Sequence, residues 1–116
     1  MIGGVIVGGG LAGGNANVII RAIGPSLSGL GVSGALQNPT LELRDGSGTL
    51  LGANDNWKLR PDGSSQQAEI EATTIPPTND FESAIVASLP PGNHTAIVRG
   101  VNNTIGIAVV EAYNIQ

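Results

Sequence analysis

Six hard oxygen donors fall where turns are expected: Asp45, Asn54, Asp55, Asn56, Asp80 and Glu82. Oxygens of this kind are the ligands calcium prefers, although their spacing does not follow the helix–loop–helix calcium pattern. Asp and Asn also bond their own backbone in turns, which accounts for most such residues without a metal. A calcium site, if built, would draw on Asp55 and Asp80. Trp57 sits among these donors, in Asn54-Asp-Asn-Trp57. Trp57, Phe81 and Tyr113 are the whole aromatic inventory. An exposed Trp can stack a sugar, so Trp57 is the candidate for polysaccharide binding. The alternative is that Trp57 folds its loop onto the end of the domain. Phe81 is expected to anchor the start of its strand.

Three other constellations carry less. Gly8-Gly-Gly-Leu-Ala-Gly13 has the spacing of a dinucleotide fingerprint. That chemistry needs a helix N-terminus for the pyrophosphate and an acid about 20 residues later for the ribose. Here the glycines lead into Val18-Ile-Ile, a strand, and the first acid is Glu42, so a flexible hairpin loop is the better reading. His94 is the only histidine, read as exposed at the start of a strand, and no serine lies in a nucleophile elbow. The partners a hydrolytic triad requires cannot be named, so no catalytic residue is assigned. Arg21 and Glu111 lie inside otherwise apolar strands. Burying either charge alone would cost several kcal/mol, roughly. Either they pair, or Arg21 reaches solvent along its stem.

Composition narrows the class. Of 116 residues, 41% are hydrophobic and 12% charged; there are 18 glycines and no cysteine. A disordered chain carries more charge and less apolar content. Five bases against nine acids, net −4, make no basic footprint for nucleic acid. Without cysteine there is neither a disulfide framework nor a thiolate metal site. The apolar stretches are short and broken by glycine, which argues against membrane insertion.

The runs rich in Val, Ile and Thr, bounded by Gly, Pro, Asn or Asp, read as strands. They fall at about 2–8, 16–23, 39–44, 49–53, 66–73, 82–89, 93–100 and 104–114. The segment 66–73 also has good helix propensity and is the one ambiguous element. A short helical turn is expected near Ser26–Leu30. Asp45-Gly-Ser-Gly48 reads as a tight hairpin turn, with Gly46 and Gly48 supplying positive φ. The last three strands read as a meander. About eight strands spaced by turn signals predict a single all-β domain over residues 1–116, an antiparallel β-sandwich of jelly-roll or immunoglobulin-like type.

The strings Val18-Ile-Ile-Arg-Ala-Ile-Gly-Pro-Ser-Leu27, Asn38-Pro-Thr-Leu-Glu-Leu-Arg-Asp45, Asn54-Asp-Asn-Trp57, Pro77-Thr-Asn-Asp-Phe-Glu-Ser-Ala-Ile-Val86 and Leu89-Pro-Pro-Gly-Asn-His-Thr-Ala-Ile-Val-Arg-Gly100 carry a resemblance. They look like a tandem repeat module of large secreted or surface proteins of environmental bacteria. Residues 40–113 are also similar to the pre-peptidase C-terminal domains of secreted bacterial enzymes, with Thr95 near a position usually tyrosine there. Both resemblances imply a non-catalytic β-sandwich outside the cytoplasm.

The chain opens inside an apolar strand, with no basic region and no Ala-x-Ala cleavage pattern, so no signal peptide is read. It reads as an excised module or one repeat of a longer chain. The tandem module normally has one further short strand before this region. A sheet edge left open in that way is a template for a neighbour's strand. Ile2, Val5, Ile6 and Val7, or Ile105 and Ile107 in the last strand, are therefore expected to contact a copy of the same module, in tandem or between subunits. The expected function is that of a structural module: a spacer, an adhesive stalk or a self-assembling filament unit at the cell surface. The alternative is a calcium- or polysaccharide-binding module appended to a secreted enzyme. No other cofactor is implied.

Overall fold

The computed structural model describes residues 2–7, by backbone alone, and 15–115, with backbone alone at Asn103. Among the described residues the chain is all-β, with seven strands, two short α-helices and one 3-10 turn (Val101–Asn103): β1 (Ile2–Val7), β2 (Ala16–Ile23), α1 (Pro25–Ser28), β3 (Pro39–Asp45), β4 (Leu50–Asn54), α2 (Gln67–Ala72), β5 (Ser83–Leu89), β6 (Gly92–Gly100) and β7 (Val109–Asn114). They form two antiparallel sheets. The first runs β1-β6-β3-β4 and the second β5-β2-β7. The loop Gly8–Gly13 lies outside the described residues.

Alternation explains the core between the sheets. Leu41 and Leu43 of β3 and Ala96 and Val98 of β6 point inward from the first sheet. Val18, Ile20 and Ala22 of β2 and Ile85 and Leu89 of β5 meet them from the second. The partners of Leu41 and Leu43 in the alternation, Glu42 and Arg44, face outward. Burying each large aliphatic side chain contributes about 1.5–3 kcal/mol. β2 reads as a nearly unbroken apolar run because both its faces are covered. Its outward Ile19 is buried too, under a third layer formed by the segment between β4 and β5. Trp57 and Ile70 pack there on Ile19 and Ala84, with Ile75, Val86 and Ile115 around them.

That third layer contains the first correction. Residues 67–72 are α2, not a strand. Gln-Ala-Glu-Ile-Glu-Ala has one apolar residue to bury, Ile70, and a single helical turn places it on the sheet while the glutamates face water. This removes one strand from the expected eight. The helical turn near Ser26 is α1, with Pro25 at its first turn, where a missing N–H does no harm.

The meander is the second correction. β5 and β7 both pair with β2, while β6 lies in the other sheet between β1 and β3. The connection Leu89-Pro-Pro-Gly92 is an arch between sheets. A hairpin and an arch present the same alternation, because both leave the apolar faces on the same core. The last strand also starts later than its apolar content suggests. Residues 104–108 approach β7 as an irregular segment, with Ile107 bridged to Ala35.

The β3–β4 turn is a hairpin, organised by Asp45. One oxygen of its carboxylate accepts from the Ser47 amide at 2.9 Å, the Ser47 hydroxyl at 2.8 Å and the Thr49 amide at 2.9 Å. Gly48 holds φ +88°, a conformation that side chains resist. Gly46 does not share it. A β-carbon there would sit 3.4 Å from the Asn93 carbonyl oxygen, so closeness to β6 rather than positive φ is its constraint.

Candidate functional site

The polar residues with chemical potential converge on one end of the second sheet and on the layer covering it. Glu82 is at their centre, one residue before β5, and is fully buried. Four donors hold its carboxylate. One oxygen accepts from the backbone N–H of Gly24 and of Ser26, both at 2.9 Å. The other accepts from the Ser26 hydroxyl at 2.7 Å and the Asn79 N–H at 3.2 Å. The Ser26 hydroxyl also lies 2.6 Å from that of Thr78. The carboxylate thus ties the β2–α1 turn to the approach to β5. Gly24 permits that turn, since a β-carbon there would collide with the Leu36 carbonyl oxygen. Among the calcium candidates, Glu82 has its acceptor capacity taken up by the chain itself.

Beside it, β2 and β7 place Arg21 directly opposite Glu111. The two side chains form an ion pair. A second guanidinium nitrogen of Arg21 donates to the Ile75 carbonyl at 3.1 Å, and the Tyr113 hydroxyl donates to Glu111 at 2.8 Å. The guanidinium also lies 5.2 Å from the centre of the Tyr113 ring, within range for a cation–π contact. Of the two sequence readings, pairing is the one realised. The pair lies in the floor of a shallow groove of about 290 Å³, walled by Ile23, Leu30, Val109 and Thr78.

Trp57 is buried against Ile19, Ile70 and Ala84, so its ring offers no platform for a sugar. Its loop folds over the outer face of the second sheet rather than onto the end of the domain. The backbone N–H of Trp57 donates to the Glu82 carbonyl at 2.8 Å, and its backbone carbonyl accepts from the Gln66 side chain at 2.7 Å. Asn54 is buried too, giving its amide to the Leu59 carbonyl at 2.7 Å and accepting from the Ala84 N–H at 3.0 Å. Ser83 closes the joint: its hydroxyl oxygen lies 2.6 Å from the Pro39 carbonyl oxygen and 2.5 Å from that of Asp55, and its single proton is shared between them. Phe81 does not anchor its strand: it is 54% exposed, and the neighbouring Glu82 does the anchoring.

Asp55 and Asp80 are both exposed. The Asp80 carboxylate pairs with Lys58 at 2.9 Å. Among the described residues, no three His, Asp or Glu side chains gather into a group able to hold a metal ion. His94 is buried on the inner face of β6, not exposed, with its Nδ1 atom 3.2 Å from the Gly92 carbonyl oxygen. Of the assembly candidates, Ile105 is 95% exposed and Ile107 52%. Ile2, Val5, Ile6 and Val7 lie on β1, which pairs with β6 of its own chain; their side chains lie outside the described part.

All five cationic side chains are paired with carboxylates: Arg21 with Glu111, Arg44 and Arg99 with Glu42, Lys58 with Asp80, and Arg60 with Glu69. The Arg99 hydrogen bond holds Glu42 below the usual carboxylate range, with Arg44 adding to it. Asp45 and Asp62 are lowered as well, chiefly by the hydroxyls of Ser47 and Ser64. Compared with protein-family models, curated proteins and solved structures, the chain matches none.

Sequence reasoning put Glu82 among surface metal donors and missed its structural use. The signal was present in the alternation, which puts Glu82 in the same class as Ala84 and Val86, two residues that turn out to be covered.

Proposed function

We propose that this chain is a non-enzymatic structural module: a β-sandwich unit of an extracellular or cell-surface protein, used in tandem or between subunits as spacer, stalk or assembly unit. The observation that carries this reading is where the chemically capable side chains are engaged. Glu82, Asn54, Gln66 and Ser83 hold backbone groups of other segments, and every Lys and Arg is matched to a carboxylate. Polar groups used in this way fix the mutual position of the sheets and the covering layer, and buried networks of that kind rigidify a fold. The resemblance to tandem surface modules, read from residues 18–100, supports the extracellular setting. The burial of Trp57 weighs against a sugar-binding role.

The reading is tested by titrating the folded, isotope-labelled chain with calcium and with a panel of soluble oligosaccharides while following its amide resonances. No saturable shift is expected. A saturable shift centred on Asp55, Asp80 or Trp57 would overturn the structural reading in favour of a binding module.

A further inference from the structure

β5 is an edge of the second sheet, with β2 on its one paired side. Its register with β2 is unbroken, so its backbone groups point alternately to β2 and away from it. Ala84 shows which residues point away. Its N–H donates to Asn54 Oδ1 at 3.0 Å, and its C=O accepts from Gln66 Nε2 at 3.3 Å. Two side chains thus stand in for a neighbouring strand at that residue. Val86 and Ser88 share the orientation of Ala84. Among the described residues, nothing pairs with the outward N–H or C=O of either. Beyond them Pro90 and Pro91 end the strand. The open edge is therefore two residues long, capped by side chains at one end and closed by prolines at the other. A hollow of about 250 Å³ lies against it, walled by Leu51 and Gly52 of β4 and by Arg60 and Glu69. Arg60 and Glu69 are paired with each other at 3.5 Å, and residues 83–91 carry no charge.

We propose that this edge is where a second copy of the chain docks, β5 against β5, about a two-fold axis at Ala87. The proposal rests on the structural-module reading and names the contact such a module would use. Hydrogen bonding selects the occupant. A strand laid antiparallel on this edge must offer an N–H and a C=O to both Val86 and Ser88. It must also bring no N–H opposite Ala84, whose C=O is already taken. β5 itself meets both conditions in one register. With Val86 opposite Ser88 of the second copy, the two residues exchange both bonds, and the two-fold repeats the exchange at Ser88. Pro90 then falls opposite Ala84, and proline has no N–H to leave stranded. Sliding two residues either way fails. Val86 opposite Val86 sets Ser88 against the capped Ala84, and Ser88 opposite Ser88 sets the Val86 carbonyl against Pro90, which cannot donate. Charge permits the approach. Each copy carries a net charge of −4, but the edge is neutral and the two charges lining the hollow cancel. One strand pair is small against the about 1,200–2,000 Å² of a stable interface, so the contact is weak. Copies held in tandem strengthen it by raising the local concentration.

The test joins sedimentation velocity of the whole chain, over a roughly hundredfold concentration range, to cysteine cross-linking. Association driven by mass action must grow with concentration. The parent chain is expected to associate reversibly. Ser88→Pro removes one outward N–H and leaves the pairing with β2 intact, as edge prolines do. It should weaken association at least tenfold, while Ser88→Ala, which keeps the N–H, should match the parent. The chain has no cysteine of its own. In the proposed register Ala87 faces Ala87 as a non-hydrogen-bonded pair, with Cα atoms about 4.5 Å apart, inside the range a disulfide spans. Ala87→Cys should therefore cross-link under mild oxidation at least tenfold faster than Ser33→Cys, on an exposed loop. Circular dichroism melts check that each variant folds; if the proline variant does not, the two cysteine variants decide. A parent chain that stays monomeric at every concentration overturns the proposal. So does association that survives Ser88→Pro, or equal cross-linking of Ala87→Cys and Ser33→Cys. A monomer leaves the structural-module reading standing, because that reading falls only to a saturable ligand.

Discussion

Replacing Glu82 should be among the most damaging single changes in this chain. Glu82→Ala removes the acceptor for the N–H groups of Gly24, Ser26 and Asn79 and for the Ser26 hydroxyl. A donor stranded in the interior costs about 1–3 kcal/mol. Gly24 is buried and receives no water, whereas Ser26 and Asn79 are half-buried and recover part of the loss. The expected loss is about 3–5 kcal/mol, a large share of the ~5–15 kcal/mol that holds a typical domain folded. Glu82→Gln keeps the shape and one acceptor oxygen but turns an NH2 group toward donors, so it should lose about half as much. Trp57 is the only tryptophan and is buried, so its fluorescence reports unfolding directly. In urea, the alanine variant should move the midpoint down by about 2 M at a slope of ~2 kcal/mol/M, with the slope unchanged. A loss under about 1 kcal/mol for alanine, or a glutamine variant worse than alanine, would refute the reasoning, because the four bonds would then not be what holds the turn.

Other consequences follow from the same geometry. Gly48→Val should cost about 1–2 kcal/mol because it forces a side chain into positive φ, and Gly46→Val should cost less, since only contact with β6 opposes it; equal losses in urea unfolding would contradict this. Trp57→Ala should cost about 3–5 kcal/mol by opening a cavity over Ile19 and Ile70, read as a fall in melting temperature. A double-mutant cycle of Arg21→Met and Glu111→Gln should give a coupling of about 0.5–3 kcal/mol, and a value near zero would mean the pair contributes nothing. Stability should fall as pH drops below about 4. Glu42, Asp45 and Asp62 titrate lower in the fold than in the unfolded chain, so their contribution is complete above the unfolded pKa and disappears as pH falls through the folded one. Urea midpoints that stay flat from neutrality to about pH 3 would contradict it.

The strands were legible because a two-residue period leaves one face of each on the core. Leu41 and Leu43 against Glu42 and Arg44 declare both strand and orientation, and both leucines are fully buried. The pairing of strands was not legible. Nothing in Ser83–Leu89 or Gly92–Gly100 distinguishes a neighbour in the same sheet from one across the core. Short apolar content was ambiguous in the same way: Ile70 alone cannot separate a strand from one helical turn. At the site, types were read correctly and environments were not. Asp55 and Asp80 are exposed as surface donors should be, but Glu82 and Trp57 are interior. Their burial comes from a layer of some thirty residues folding back over β2, a long-range event that local patterning does not encode.

The central claim is that this layer is a fixed part of the fold and not a lid over a binding site. Native-state hydrogen exchange tests it most directly, because local opening and global unfolding differ in their dependence on denaturant. The amides of Trp57, Ile70 and Ala84 are each bonded to a partner within or across the layer. They are predicted to exchange only through global unfolding, at the same free energy and with the same denaturant slope as Ile20 and Leu43 of the core. Exchange of these three amides by a separate low-energy opening, with the strands still protected, would contradict it.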